Sequence, residues 1–305
     1  MTPRNFSQLV EALQPFDLKQ PIKAACVGLD TVYEKIPTHI RNRPHALSQN
    51  LKLNRDIFEF NKEIIDHTKE HVGFYKLNSA FYEQYGPPGI EALQQTIEYI
   101  HKVAPHVVVI LDYKRGDIGD TNICHCKVAF EYYNADAVTV HGYLGKEAMQ
   151  PFLDYTDKGI IVLCKTSNKG SSEFQDEKVP EVFVGQFGTM PLFHKVAYNV
   201  ETNWNTNKNC GLVTGGTYPI DIGHARLYAP SLFFLIPGIG KQGGDLEGSV
   251  KHGLNKEYRG IGVNSSSGII YASSGEDFAI RAGEETLKLD DSINDIRFGL
   301  IGALR

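Results

Sequence analysis

Short runs of apolar and β-branched residues recur along the chain, and most of them end in polar or charged residues. The clearest run is Val107–Leu111, which is followed by Asp112 and Lys114. A short run of this composition is typical of a buried parallel strand. Because alternate side chains of a strand point to opposite faces, we expect Val108, Ile110, Asp112 and Lys114 to share one face. The pattern therefore predicts two opposite charges at the carboxyl end of a buried strand.

Eight such runs alternate with segments of helical periodicity. The predicted strands cover residues 24–30, 73–79, 107–114, 137–141, 159–167, 210–216, 232–238 and 260–266. The predicted helices cover about 51–71, 90–103, 118–133, 146–154 and 191–201, with a brief helix from 221 and a terminal helix. Eight βα units in 305 residues predict the α/β class and a (β/α)8 TIM barrel. An open doubly wound sheet is the alternative, weakened because no GxGxxG follows the first strand.

No compositional break divides the chain, so we expect a single barrel domain over residues 1–305 with an additional N-terminal helix. The segment from Asn168 to Pro180 is rich in glycine, serine and charged residues. It is too long for a simple connection between a strand and a helix. We therefore predict a lid loop near residues 168–183.

Composition argues against several classes of function. The net charge of -5 and the lack of a basic helix argue against nucleic-acid binding. The N-terminal residues lack a long apolar core, so neither a signal peptide nor a membrane span is expected. Cys26, Cys164 and Cys210 lie in apolar runs, which is typical of buried free thiols in a reducing compartment. We predict a cytoplasmic protein.

A metal site is not expected from the cysteines. Cys124 and Cys126 flank His125, but no second Cys/His pair at zinc spacing accompanies them. Neighbouring residues on a helix also point apart, so the three side chains would not converge.

In a barrel, the carboxyl ends of all strands converge on one face. The polar residues that would meet there are Asp30, Lys76, Asn78, Asp112, Lys114, Asp117, Thr166, Ser167, Gln242 and 265–267. Alternating lysines and aspartates would let each aspartate stay ionised beside an ammonium group. We expect Lys114 to be a proton donor held between two carboxylates.

A second feature follows the last two predicted strands. The glycine-rich segment Gly238–Gly244 and the serine-rich turn at 265–268 occupy positions where barrels commonly bind phosphate. The pattern predicts a phosphorylated small molecule with its reacting end near Lys114. Each feature alone has a plainer interpretation: Asp112 and Lys114 could be a structural ion pair, and Asp117 could cap the following helix.

The segment Asp112-Tyr-Lys-Arg-Gly-Asp-Ile-Gly-Asp-Thr121 resembles the DxKRGDIxxT signature of the orotidine 5'-monophosphate decarboxylase family. Matching segments cover nearly the whole chain: 27–30, 75–83, 165–168, 237–243 and 263–266. The resemblance is to the longer branch of that family, which has a lid after the fifth strand. It implies a cofactor-free, metal-free barrel enzyme, a carbon–carbon lyase that makes uridine 5'-monophosphate in the last step of pyrimidine synthesis. It also implies a homodimer with shared active sites.

The resemblance implies a role for each matching residue. The implied catalytic residues are Lys76, Asp112, Lys114 and Asp117, with Lys114 protonating C6 of the substrate. The implied substrate-binding residues are Asp30, Asn78, Thr121, Thr166, Ser167, Pro237, Gln242, Ser266, Ser267 and Gly268. Across the two sets, Asp30 and the catalytic Lys76 would hold the ribose, and Thr166 and Ser167 would contact the pyrimidine. Asp117 and Thr121 would reach into the neighbouring subunit's site, and Gln242 with the 266–268 backbone would hold the phosphate.

One residue departs from the family pattern. The family usually has an arginine after the Asn-Ser-Ser turn to bind the phosphate, and here that position is Ser267. A charge-assisted hydrogen bond to phosphate contributes about 1.5–3 kcal/mol. We expect either that another cation, with Lys241 of the glycine-rich segment as the candidate, replaces the arginine or that the nucleotide binds more weakly.

Two other functions stay open. A related barrel that acts on a sugar phosphate with magnesium would share the Asp-x-Lys-x-x-Asp core, although Lys76 would place a charge where that metal sits. A non-catalytic nucleotide-binding protein derived from the family is the second alternative. The resemblance also leaves open a complex with a separate orotate phosphoribosyltransferase.

Overall fold

The computed structural model describes residues 4–44, 48–180, 188–239 and 243–303. In chain order the strands are β1 (Ala25–Gly28), β2 (Phe74–Asn78), β3 (Val108–Arg115), β4 (Ala137–Val140), β5 (Gly159–Lys165), β6 (Lys178–Pro180), β7 (Thr189–Pro191), β8 (Cys210–Thr214), β9 (Phe233–Pro237) and β10 (Ile261–Ser265). Eight of them close into a parallel barrel in the order β1-β10-β9-β8-β5-β4-β3-β2. The predicted (β/α)8 barrel is confirmed, and the open doubly wound sheet is excluded.

Helices connect the strands and cover the outside of the barrel. They are α1 (Phe6–Leu13), α2 (Thr38–Arg41), α3 (Gln49–Thr68), α4 (Ala80–Glu83), α5 (Pro87–Val103), α6 (Gly119–Cys126), α7 (Gly145–Leu153), α8 (Ser172–Gln175), α9 (Leu192–Asn199), α10 (Pro219–Tyr228), α11 (Leu246–Gly253), α12 (Ser267–Ile270) and α13 (Phe278–Gly302). Among the described residues, none of these helices combines the length and the apolar composition that a membrane span needs.

The alternation within β3 shows how sequence sets the two layers of the core. Val108 and Ile110 point into the barrel, where they pack with Phe74 and Phe233 from other strands. Val109 and Leu111 point outward and belong to the larger cluster between the barrel and the helices. Because side chains of a strand alternate, the next inward position after Ile110 is Asp112. The strand therefore delivers a carboxylate to the carboxyl end of the barrel interior.

The N-terminal helix α1 closes the opposite end of the barrel. Its Phe6 packs edge-on against Phe233 with ring centroids 5.7 Å apart. Phe6 also lies so close to Gly159 that a Cβ there would be 2.7 Å from its ring. Just after α1, the buried Gln14 donates a 2.6 Å hydrogen bond to the carbonyl oxygen of Ile261. The floor of the barrel is thus filled by the start of the chain.

The segment predicted to be a lid has more regular structure than expected. A single 3-10 turn (Lys169–Ser171) leads into α8, and β6 then pairs with β7 as an antiparallel hairpin. Residues 181–183 of the predicted lid lie outside the described residues.

Two helical features also differ from the sequence prediction. The helix predicted over 118–133 is α6 followed by a π-helical stretch, Lys127–Tyr132. The short helix α11 lies between β9 and β10, where only a glycine-rich loop was predicted. Asp245 starts α11, and its side chain accepts a hydrogen bond from the Gly248 amide. This side-chain cap defines the start of α11, which the preceding glycines made hard to recognise in the sequence.

Candidate active site

A cavity of about 560 Å³ opens at the carboxyl ends of the barrel strands. The predicted site residues that line it are Asp30, Lys76, Asn78, Asp112, Lys114, Thr166, Ser167, Pro237, Ser266, Ser267 and Gly268. They come from loops and strand ends far apart in sequence, and the barrel brings them together because parallel strands end on one side. The structure thus brings together most of the strand-end residues that were expected to meet on one face of the barrel.

Four charged side chains form a continuous chain in this cavity. Lys76 Nζ lies 3.5 Å from Asp30 Oδ1 and 3.0 Å from Asp112 Oδ2. Lys114 Nζ lies 2.6 Å from Asp112 Oδ1. We expected two carboxylates on Lys114, and that expectation is wrong within one subunit, because among the described residues only Asp112 pairs with it. Charge alternates as negative, positive, negative and positive.

The array keeps both of its buried members ionised. Burial alone would raise the pKa of Asp112, but Lys76 and Lys114 hold that pKa well below its ordinary value. Burial alone would lower the pKa of Lys76, but Asp112 and Asp30 hold it above its ordinary value. Each buried charge is therefore stabilised by an opposite charge, and the four groups together are neutral.

Lys114 has an unusual backbone. Its φ is 47°, in the left-handed region that lysine rarely adopts. The pairing of β3 with β4 shifts register between Leu111 and Arg115, around this residue. The Lys114 side chain is 45% exposed, whereas that of Asp112 is 7% exposed. Strained backbone conformations are common at functional sites, where surrounding contacts hold them.

Thr139 on β4 supports this conformation, and sequence reasoning missed it. Its hydroxyl donates to Asp112 Oδ1 at 2.7 Å and accepts the Lys114 amide at 3.2 Å. A signal was present in the sequence: Thr139 is a polar residue in the apolar run Ala137–Val140. In β4 it occupies the inward position beside Asp112, because Leu111 pairs with Val138.

The segment predicted to be a lid contacts the site through the end of β5. Gln175 of α8 accepts a hydrogen bond from the Thr166 amide and donates one to the Thr166 hydroxyl, both at 2.9 Å. The next residue, Asp176, pairs with the buried Lys165, and Asp221 lies 3.7 Å from the same lysine. These contacts fix the backbone from which Thr166 and Ser167 line the cavity.

Asp117 and Thr121 do not line this cavity. They lie on the loop after β3 and on α6, and Thr121 is exposed. The buried Asn122 fixes the loop, because its side chain accepts the Asp117 amide at 2.9 Å and donates to the Ala148 carbonyl at 2.6 Å. The capping interpretation of Asp117 is wrong, since Ile118 is the N-cap of α6 and no side chain caps it. Gln242 and Lys241 lie outside the described residues.

The cysteines form no disulfide in the structure. All five are free thiols, and Cys26, Cys164 and Cys210 are buried as predicted. Burial raises the pKa of Cys26, which lies beneath the charged array, to about 12. Among the described residues, no group of three or more His, Cys, Asp and Glu side chains is arranged to hold a metal ion.

Comparison with known proteins adds an independent line of evidence. The sequence profile of the Orotidine 5'-phosphate decarboxylase / HUMPS family matches residues 25–281. Orotidine 5'-phosphate decarboxylase from Azoarcus sp. (strain BH72) is 41% identical over 272 residues, which are 89% of this chain and 93% of that protein. The enzyme of that name from Cupriavidus metallidurans is 42% identical over 274 residues, 90% of this chain and 93% of that protein.

Solved structures agree with these relatives. Leishmania donovani OMP decarboxylase is 35% identical with a TM-score of 0.76, over 96% of this chain and 99% of that one. Leishmania donovani UMP synthase is 36% identical with a TM-score of 0.79, over 96% of this chain. This chain spans 57% of that longer protein. The likeness therefore extends over nearly all of the barrel.

Proposed function

The chain belongs to the Orotidine 5'-phosphate decarboxylase / HUMPS family and decarboxylates orotidine 5'-monophosphate to uridine 5'-monophosphate; we propose that Lys114 protonates C6 in this reaction. The observation that carries the proposal is the alternating array of Asp30, Lys76, Asp112 and Lys114 in one cavity. Of the two lysines in this array, Lys114 is the one whose side chain is about half exposed, whereas that of Lys76 is 5% exposed.

The chemistry explains why such an array suits the reaction. When the bond between C6 and the carboxylate carbon breaks, carbon dioxide leaves and the electron pair stays on C6 as a localised carbanion. The Lys114 ammonium is a cation beside that developing charge, and it donates a proton to C6. Asp112 repels the substrate carboxylate before it leaves. Fixed charges of this kind stabilise the transition state without reorganising, which is the largest contribution in many enzymes.

The other residues of the cavity bind the nucleotide. We propose that Asp30 and Lys76 hold the ribose hydroxyls with Asn78 beside them, and that Thr166 and Ser167 contact the pyrimidine. The backbone of 266–268, with Gln242, would hold the phosphate. Binding energy from these remote groups would close the lid segment and remove water from C6.

We propose that two subunits share each site, with Asp117 and Thr121 reaching into the partner's cavity. The loops after β3 and β4 support this interface, because they expose large apolar side chains at the same end of the barrel. Ile118 is 61% exposed, Ile123 45% and Tyr143 86%. The two loops touch, since a Cβ on Gly116 would lie 2.7 Å from the His141 carbonyl. Exposed apolar patches of this kind mark interaction surfaces.

The first experiment measures the loss of substrate absorbance in buffer that contains a chelator. We expect metal-independent turnover by the wild-type chain and a fall of about 10³-fold or more in Lys114→Ala, because the proton donor and its charge are both lost. Lys208→Ala is the matched control, since Lys208 has a similar left-handed φ of 57°. Turnover lost on chelation would instead favour metal-dependent sugar-phosphate chemistry.

The same Lys114→Ala chain tests the shared site. When it is mixed with the Asp117→Ala variant and the two exchange subunits, the mixture should regain about a quarter of wild-type activity. About half of the dimers would then be heterodimers, and one of the two sites in each would contain both Lys114 and Asp117. If the mixture stays inactive after exchange of subunits has been verified, the shared site is contradicted.

A cytoplasmic location and an association with orotate phosphoribosyltransferase stay predictions, which fractionation and co-purification would test.

A further inference from the structure

The cations of the cavity differ in how their charge is balanced. Among the described residues that line it, Lys35, Lys76 and Lys114 carry positive charge, and Asp30 and Asp112 carry negative charge. Lys76 and Lys114 both pair with Asp112, and Lys76 also pairs with Asp30. In the described part of the chain, no carboxylate pairs with Lys35, whose ammonium instead lies 5.4 Å from the centre of the Tyr271 ring. Lys35 therefore supplies the cavity's uncompensated positive charge among these residues.

Lys35 lines the cavity from the segment that follows β1, outside the array of alternating charges. It ends a 3-10 turn (Tyr33–Lys35) that follows β1. Since β1 pairs with β10, this turn lies beside the segment that follows β10. Lys114, in contrast, is on β3, which is separated from β1 by β2. A ligand that reacts at Lys114 and places its phosphate against the 266–268 backbone would bring that phosphate to the part of the cavity that Lys35 lines.

Close contacts fix the two neighbouring segments relative to each other. The Ser266 side chain occupies the space above Gly28 where any Cβ would collide with it. The Val32 amide donates a 2.7 Å hydrogen bond to the Tyr271 hydroxyl. Because Tyr271 follows α12 directly, this bond ties the Lys35 turn to the 266–268 backbone. Lys35 and that backbone thus border the same part of the cavity.

We propose that Lys35 binds the phosphate group of the nucleotide and provides there the positive charge that Ser267 lacks. The inference rests on the proposed function, which places a phosphate dianion at the 266–268 backbone. A lysine suits the role because its ammonium is a compact charge on a long, flexible chain and a common phosphate ligand. The Lys35 side chain is exposed, and no carboxylate among the described residues pairs with its ammonium, so it can move to contact the phosphate.

The test compares binding of uridine 5'-monophosphate with binding of uridine, by calorimetry on the full-length chain. We expect Lys35→Met to weaken uridine 5'-monophosphate binding by about ten- to a hundredfold, as for loss of one charge-assisted contact. Uridine has no phosphate, so its affinity should be unchanged. Adding Ser267→Arg to Lys35→Met should restore most of the lost affinity, because it returns a cation to the same end of the cavity.

Two further variants make the comparison specific. Lys256→Met removes an exposed lysine before β10, at the opposite end of the barrel, and should leave both affinities unchanged. Lys241→Met tests the cation of the glycine-rich segment that follows β9. A phosphate-specific loss in Lys241→Met with normal binding in Lys35→Met would overturn the inference. So would a Lys35→Met variant that loses affinity for both ligands equally.

Turnover of orotidine 5'-monophosphate by the same preparations separates the two proposals. If the chain turns over orotidine 5'-monophosphate but binds uridine 5'-monophosphate equally well without Lys35, the inference is overturned and the function stands. Lys35-dependent binding without turnover overturns the function and leaves the inference standing. A wild-type chain that binds no uridine 5'-monophosphate overturns both.

Discussion

Asp112 and Asp136 are two buried carboxylates at opposite ends of the barrel, and they show what separates a functional charge from a structural one. Both are ionised in the folded protein. Burial alone would raise the pKa of each, but hydrogen bonds from Arg4 and His101 hold the pKa of Asp136 at about 2. Lys76 and Lys114 likewise hold the pKa of Asp112 below its ordinary value. By burial and charge pairing alone, the two sites are alike.

The difference lies in what the partners do. Arg4 contacts both oxygens of Asp136, at 2.6 and 2.7 Å, and the Val109 amide adds a bond of 2.8 Å. Arg4 also donates to the Pro105 and Val107 carbonyl oxygens, so this network is closed on itself. The partners of Asp112, in contrast, border an open cavity, and Lys114 has a strained backbone. The open cavity beside its charged partners, more than a buried charge, distinguishes the functional end.

The largest difference between the two carboxylates should appear in activity when the charge of Asp112 is removed. We expect Asp112→Asn to lower kcat by about 10³-fold, because the array loses the charge that positions Lys114 and repels the substrate carboxylate. The free energy of unfolding should fall less than for the equivalent change at Asp136. In Asp112→Asn, Lys76 would still pair with Asp30, and the half-exposed Lys114 ammonium could be hydrated. Steady-state kinetics and urea unfolding check both parts. Near-normal kcat in a folded variant would refute the assigned role of Asp112.

The complementary change, Asp136→Asn, should affect stability and leave chemistry unaltered. Breaking a buried ion pair typically lowers the free energy of unfolding by about 3–5 kcal/mol, because Arg4 would lose its partner. Activity per folded molecule should be unchanged, since Asp136 is at the closed end of the barrel. Urea unfolding with activity assays on folded protein measures the two effects, and Lys208→Ala again serves as a control.

Acid should reveal part of this effect. Because folding lowers the pKa of Asp136 from 3.8 to about 2, its ionisation stabilises the fold above about pH 4. That contribution is lost as pH falls through about 2, and it amounts to about 2 kcal/mol. The stability difference between wild type and Asp136→Asn should therefore narrow between about pH 4 and pH 2. A difference that stays constant over this range would show that Asp136 does not stabilise through its charge.

The smallest effect concerns the backbone of Lys114. Glycine adopts a positive φ without steric cost, so Lys114→Gly should be more stable than Lys114→Ala by about 0.5–1 kcal/mol, though both lose activity. Lys208→Gly and Lys208→Ala form the matched pair, because Lys208 shares this backbone region. If Lys114→Gly and Lys114→Ala are equally stable while Lys208→Gly is more stable than Lys208→Ala, the Lys114 backbone is not strained.

Much of the fold followed from local patterns in the sequence. The barrel strands were predicted because each is a short apolar run, and their order followed from alternation with helices. The β6–β7 hairpin was missed because its strands are short, partly polar and separated by eight residues along the chain. The helix α11 was missed because glycines precede it, and its start depends on a single side-chain cap from Asp245.

The site was predictable where it depended on strand ends and obscure where it depended on the path of loops. Asp30, Lys76 and Asp112 each end an apolar run, and closure of the barrel alone brings them together. Lys35 lies beyond the end of β1 in an irregular turn, so its approach to the cavity depends on Tyr271, far away in sequence. Asp117 and Thr121 lie outside the cavity of one chain, so the role proposed for them depends on contacts with a second subunit.

The hydrogen bond from Gln14 to Ile261 has a consequence for how the protein is made. It joins residues 247 positions apart, and the packing of Phe6 against Phe233 is nearly as distant. Ribosomes release the amino end first, so the apolar face of α1 leaves the exit tunnel long before the strands that will cover it. During most of synthesis this helix has no native partner from the later strands and is available to chaperones. Helix α1 is translated before every strand of the barrel, yet the floor that it forms is among the last parts to be completed.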